Sequence, residues 1–123
     1  MANPNIVNVT SITGETDVGA LTTGSTVLVA NAASSGKVYK VNSIMVANVD
    51  GTNAADVTVD INTAAGGGGT SYALASTISV PADATLNLVD KNSSFYLMED
   101  KSIVGGASAN GDLEIIISYE IIN

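Results

Sequence analysis

The sequence predicts an all-β fold, an antiparallel β-sandwich of eight or nine strands for which a jelly-roll is one suitable topology. Three observations predict it. Fourteen Val, eleven Ile and twelve Thr make 37 of the 123 residues β-branched, against seven Leu and four Glu, and stiff branched side chains favour the pleated strand over the helix. Apolar residues alternate with polar ones instead of recurring at helical spacing. Turn residues interrupt the chain every 8 to 15 positions, the rhythm of a sandwich. With 46% hydrophobic and 13% charged residues, the chain has enough apolar surface to offset the entropy of ordering. Its length suits one domain over residues 1–123.

The elements follow in chain order. Residues 1–10 have two readings: a first strand, begun by Ile6, Val7, Val9 and Ile12, or an arm reaching a neighbour, which Pro4 and the polar spacing suit. Residues 25–30 (STVLVA) form the next strand, and NAASSG at 31–36 is turn chemistry. Residues 37–49 make a long strand that is apolar on both faces. Tyr39, Val41, Met45, Ala47 and Val49 fall on one, and Val38, Ile44 and Val46 on the other. A central strand, or one that changes sheets, has this pattern. After a loop at 50–55, residues 56–62 (DVTVDIN) alternate without a break. The Gly66 to Gly69 run implies a flexible, exposed loop tip. Residues 72–80 resume the alternation, Pro81 turns the chain, and shorter strands follow around Leu86 and Leu88, at 95–98 and at 102–109. Asn110-Gly111 has the letters of a type I′ hairpin turn. It leads into residues 113–122, where Leu113, Ile115, Ile117, Tyr119 and Ile121 share one face.

Composition narrows the chemistry. The chain has no Arg, His, Cys, Trp or Gln, and four Lys stand against twelve Asp plus Glu for a net charge of −8. Without Cys there is no disulfide or thiolate nucleophile, and without His no imidazole base. General acid–base work would fall to carboxylates, Lys or Tyr. Four lysines make no basic patch for a phosphate backbone, so no nucleic-acid partner is expected. No stretch approaches the roughly 20 apolar residues of a membrane span. The first residues lack the basic and apolar regions of a signal peptide, so synthesis in the cytoplasm is expected.

Several residue groups invite a chemical reading. Asp50, Asp56 and Asp60 lie within eleven residues and offer oxygen ligands to Ca²⁺, although their spacing is not that of an EF-hand. Turn-forming and solvated carboxylates explain them equally. Glu99 with Asp100, or Asp112 with Glu114, could be set against glycosidase chemistry, but sugar clefts need aromatic platforms and this chain has one Phe, four Tyr and no Trp. The glycine run lacks the Lys-Ser or Lys-Thr and the helix of a phosphate loop. Tyr39, Tyr72, Tyr96 and Tyr119 read as strand residues at the core edge before a ligand groove. No enzyme, cofactor or metal is expected. The final strand is different: its second face mixes Glu114, Ser118 and Glu120 with Ile116 and Ile122, which an ordinary solvent-facing strand does not require. Ile6, Val7, Val9, Ile116 and Ile122 are therefore the candidate interface residues of a homo-oligomer.

Four segments, SSGKVYKV at 34–41, VANVDGTNAADVTV at 46–59, ISVPADATL at 78–86 and LEIIISYE at 113–120, resemble small virion structural proteins of tailed bacteriophages, those of marine and cyanobacterial phages most of all. The glycine run departs from that pattern as an inserted loop. The resemblance implies a virion protein that binds a capsid or tail lattice in many copies. A homo-oligomeric capsid decoration or cement protein comes first, with a trimer at lattice threefold points a natural arrangement. A tail, neck or baseplate component comes second. A glycan-binding module is the alternative from another class, with the loops at 50–56 and 66–69 as its site.

Overall fold

The computed structural model describes residues 4–123. Its strands are β1 (Ile12–Ala20), β2 (Thr26–Asn31), β3 (Val38–Asn48), β4 (Ala55–Asn62), β5 (Ser71–Val80), β6 (Thr85–Val89), β7 (Phe95–Leu97), β8 (Lys101–Ala107) and β9 (Leu113–Ile122), with a single 3-10 turn at Lys91–Ser93. They form two antiparallel sheets. The first has the order β1-β9-β3-β6, with β7 also on β3, and the second has the order β2-β8-β4-β5. Strand 1 thus pairs with 9, 2 with 8, 3 with 6 and 7, and 4 with 5, so the chain is one long hairpin rolled into a sandwich. That is the jelly-roll topology.

The core lies between the sheets. β9 presents Leu113, Ile115, Ile117 and Tyr119 inward, and β3 presents Val41, Ile44 and Val46. From the opposite sheet come Val29, Val57, Val59 and Ile103. The alternation read in residues 56–62 and 113–122 is the inward and outward alternation of β4 and β9. In β3 the faces differ from the sequence reading. Val41 pairs with Tyr119 and Ser43 with Ser118, so Asn42 is an extra, bulged residue. The bulge resets the period of 2, which lets Val41 and Ile44 both be buried and puts Met45 on the outer face.

Three further expectations are corrected. The first strand does not begin at Ile6: residues 4–11 precede β1, which is ITGETDVGA. Its two glycines and four polar side chains carry no apolar alternation, and its pairing with β9 makes it a strand. Asn110-Gly111 forms no hairpin, because β8 and β9 lie in different sheets. Only Gly111 takes a positive φ, 78°, and Asn110 Oδ1 accepts the Thr23 amide at 2.8 Å instead. The glycine run is an exposed tip at Gly66, Gly68 and Gly69, as expected, but it is tied down rather than loose. Asn62 holds Gly69 through both its carbonyl and its amide, and a side chain at Gly67 would meet Val27 Cγ2 of the second sheet at 3.0 Å.

Loop corners are fixed by three buried asparagines that end β2, β3 and β4. Asn31 Nδ2 donates to the carbonyls of Lys37 and Leu97 at 2.9 and 3.0 Å. Asn48 Nδ2 donates to those of Asn53 and Val80, both at 2.9 Å, while its Oδ1 accepts the Asp50 amide. Asn62 joins both ends of the glycine loop through Gly69 and Ser71. Each amide satisfies backbone groups that would be costly to bury alone.

Asn48→Asp tests this arrangement. The new carboxylate would face two carbonyl oxygens, so only its protonated form can donate; its folded pKa must rise above the unfolded value. The variant is expected to lose about 2 kcal/mol or more at pH 7 and to regain part of that below about pH 4, whereas the deficit of Asn48→Leu stays flat. Thermal melts across pH measure it, and a pH-independent deficit in the Asp variant would overturn the assignment.

Candidate functional site

The outer face of the first sheet is the candidate interaction surface. β1 forms its edge and pairs with β9 over nine positions, from Ile12 with Ile122 to Ala20 with Glu114, without a register shift. Among the described residues its other side carries no strand. Val18, 74% exposed, points outward in the same row as Ile116 and Met45. Between Val18, Ile116 and Ala47 lies a shallow depression of about 320 Å³. At the other end of β1, Ile12, Ile122 and Val38 form a second outward row. Residues 4–11 lie beside it, so that Pro4 and Ile6 line a cavity of about 280 Å³ with Val38, Tyr96 and Met98.

Of the five candidate interface residues, Ile6 and Val7 are exposed and Val9 and Ile116 half-buried, while Ile122 is buried within the second row. Sequence reading found these residues by their apolar character and missed Val18, Met45, Tyr96 and Met98. Only the sheet register aligns those with them.

Where β1 faces inward it carries Glu15 and Asp17. Both approach the Tyr119 hydroxyl, at 3.1 and 2.8 Å, and Tyr119 stacks on Tyr39 with ring centroids 5.4 Å apart. Burial pushes the Tyr119 phenol far above its usual range, helped by its hydrogen bond to Asp17 and the carboxylate charges. Tyr39 is raised by burial first and by Glu15 and Asp17 next. Tyr119 is therefore a proton donor that clips the edge strand to the core, and a poor base or nucleophile. The four tyrosines form no common groove, because Tyr72 and Tyr96 are exposed on other strands.

The remaining sequence candidates are scattered. Asp50 accepts the Thr52 and Asn53 amides at 2.8 and 3.3 Å, and these bonds hold its carboxyl below the usual range. It shapes its own loop. Among the described residues no three Asp or Glu side chains gather as a metal site. Asp56 and Asp60 line a trough of about 250 Å³ on the second sheet with Thr23, Ser25, Thr58 and Ser108. Glu99 is buried beside exposed Asp100, and Glu114 lies on the outer face. The loops at 50–56 and 66–69 flank opposite ends of β4, eight residues long, so they are roughly 25 Å apart and form no single site.

No family model and no curated protein matches the chain. A solved structure described as "Bacillus endospore appendages form a novel family of disulfide-linked pili" is similar in fold, with a TM-score of 0.53 and 16% identity over 91% of this chain and 87% of that one. At that identity the likeness extends to the sandwich alone.

Tyr119 gives an alkaline prediction. Folded Tyr119 keeps its proton above pH 10, the ordinary tyrosine value, where the unfolded chain gives its own up. Stability from this group is complete below that pH and falls as pH rises. The melting temperature is expected to decline above about pH 10, and more gently in Tyr119→Phe, which at pH 7 loses about 1–2 kcal/mol with the hydrogen bond to Asp17. Equal alkaline slopes in the two proteins would refute the role.

Proposed function

We propose that this chain is a non-enzymatic structural subunit, present in many copies in a repeating assembly and acting through its surface. The observation that carries this is the open β1 edge, nine residues in unbroken register with no bulge, Pro or Lys and with exposed Ile12 and Val18. Soluble proteins blunt such edges because they template pairing with another chain, and the two inward-pointing charges that could blunt this one, Glu15 and Asp17, are taken up by the Tyr119 hydroxyl. The acidic charge keeps free subunits apart and soluble until they assemble.

The sequence resemblance supports a virion setting, with capsid decoration before a tail, neck or baseplate role. A second reading, a fibre subunit, draws on the pilus-forming neighbour. That pilus is disulfide-linked, whereas a chain without Cys would hold a fibre by strand pairing and packing alone. A glycan-binding role draws on the hydroxyl- and carboxylate-lined trough of the second sheet.

Light scattering and electron microscopy of the purified chain, with its copy number per purified particle, test the proposal. Oligomers or filaments that Val18→Lys disperses while the monomer's melting temperature holds are expected, as are hundreds of copies per capsid in the decoration setting. A chain that stays monomeric and is absent from particles would overturn it. Binding on a glycan array that Asp60→Asn abolishes would move the function to the trough.

A further inference from the structure

We infer that residues 4–9 are an exchange arm: in the assembly, Ile6 and Val7 of one copy pack into the Val38–Tyr96–Met98 groove of a second copy. This rests on the repeating-assembly reading and names its contact.

The groove's fit is already on the chain. Pro4 and Ile6 line it together with Val38, Tyr96 and Met98, so every copy carries both the groove and a segment that suits it. The seating in one chain is incomplete. A cavity of about 280 Å³ stays open, Ile6 is 51% and Val7 84% exposed, and Tyr96 and Met98 are half-exposed. The outward row shows the same gap. Ile12, Ile122 and Val38 run side by side across β1, β9 and β3, and Met98, following Leu97, which pairs with Tyr39, comes level with Val38. The middle of the row, Ile122 and Val38, is buried, while Ile12 and Met98 at its ends are open.

The arm's own backbone bonds are local. Asn5 Oδ1 accepts the Val7 amide and the Asn5 carbonyl accepts that of Asn8, each at 3.0 Å. The anchor comes at Thr10 and Ser11, whose amides both donate to the Asn123 carbonyl while the Ser11 carbonyl accepts the Asn123 amide. Swinging the arm outward therefore breaks none of these backbone bonds, and the arm of a second copy restores the cover over Val38 that the first withdraws, the condition under which exchange of an identical element links copies cheaply. Four residues from Thr10 to Ile6 reach at most about 14 Å, so the receiving groove must lie beside the β1–β9 corner of the donor.

A chain without Cys makes the test clean. In Ile6→Cys/Met98→Cys, exchange is expected to give a ladder of disulfide-linked oligomers on a non-reducing gel. Mixed single variants, Ile6→Cys with Met98→Cys, should give a cross-linked dimer that Thr52→Cys with Met98→Cys does not. An internal bridge alone, under conditions where the wild-type chain assembles, would overturn the inference. Ile6→Ser/Val7→Ser should keep the monomer's melting temperature and weaken assembly at least about tenfold, the loss of two apolar side chains from a filled groove. If that variant assembles like wild type, the arm fails and the structural-subunit reading stands. If wild type never assembles and is missing from particles, both fall.

Discussion

The pairing of β3 with β9 is the constraint on which the rest of the structure depends. It joins Val38–Asn48 to Leu113–Ile122 over ten positions, and it brings Ile44 against Ile117 and Val46 against Ile115 at the centre of the core. Strands so far apart in the chain pay a large loop-closure entropy before any contact rewards them. Here that cost falls on a cysteine-free chain with no covalent staple, and buried β-branched surface must offset it. Once β9 is held by β3, its other edge is free to receive β1, and the outer face acquires its two apolar rows.

The same constraint explains the polar residues that are buried. A rolled hairpin must turn corners between sheets, and every corner leaves backbone groups that water does not reach. Asn31 and Asn48 meet that need at two such corners, each donating to two carbonyls while its Oδ1 accepts the Ser35 hydroxyl or the Asp50 amide. Asn62 serves a carbonyl and an amide of Gly69 at the β4–β5 hairpin within the second sheet. Gly105 and Gly106 meet a different one. A side chain at Gly105 would meet Leu28 Cδ1 at 2.9 Å inside the sandwich, and one at Gly106 the carbonyls of Gly24 and Thr22 at 3.1 and 3.2 Å outside. Two adjacent glycines in β8 thus let the core and the loop between β1 and β2 close on the strand from both sides.

Much of this was legible in the sequence, where one face of a strand is buried and the other is not. β4 and β9 show their alternation in the letters because burial enforces it residue by residue. β1 does not, since an edge strand with Gly14, Glu15, Asp17 and Gly19 is a strand only by virtue of its partner. The β3 faces were misassigned because a bulge at Asn42 leaves no compositional mark. Asn110-Gly111 misled for a related reason: Asn at a turn can serve φ or a side-chain bond, and here it serves Thr23. The interface candidates Ile6, Val7 and Ile116 were visible as apolar residues without a core role, but their neighbours Val18, Tyr96 and Met98 come from strands that only the register aligns. The contact of Glu15 and Asp17 with Tyr119 was hidden for the same reason, since it spans almost the whole chain.

The four sheet edges differ in a way that bears on how copies can meet. β5 is bulged twice against β4, and Thr77, at φ 48°, turns its edge out of regular pairing. β2 carries a bulge between Val27 and Val29. On the far side of the first sheet, the edge is broken between β6 and β7 by the turn at Lys91–Ser93. Each is a device that spoils a template. β1 alone is long and regular, yet it does not invite its own kind. Centred on Thr16, a two-fold β1 pair would set Glu15 opposite Asp17 twice on one face, and like charges directly opposed are destabilising. A symmetric dimer through this edge is therefore disfavoured, while a contact using different surfaces on the two copies is not. Such head-to-tail contacts close into rings or run on as filaments, and an arm that leaves one copy for the groove of the next has that same directional character.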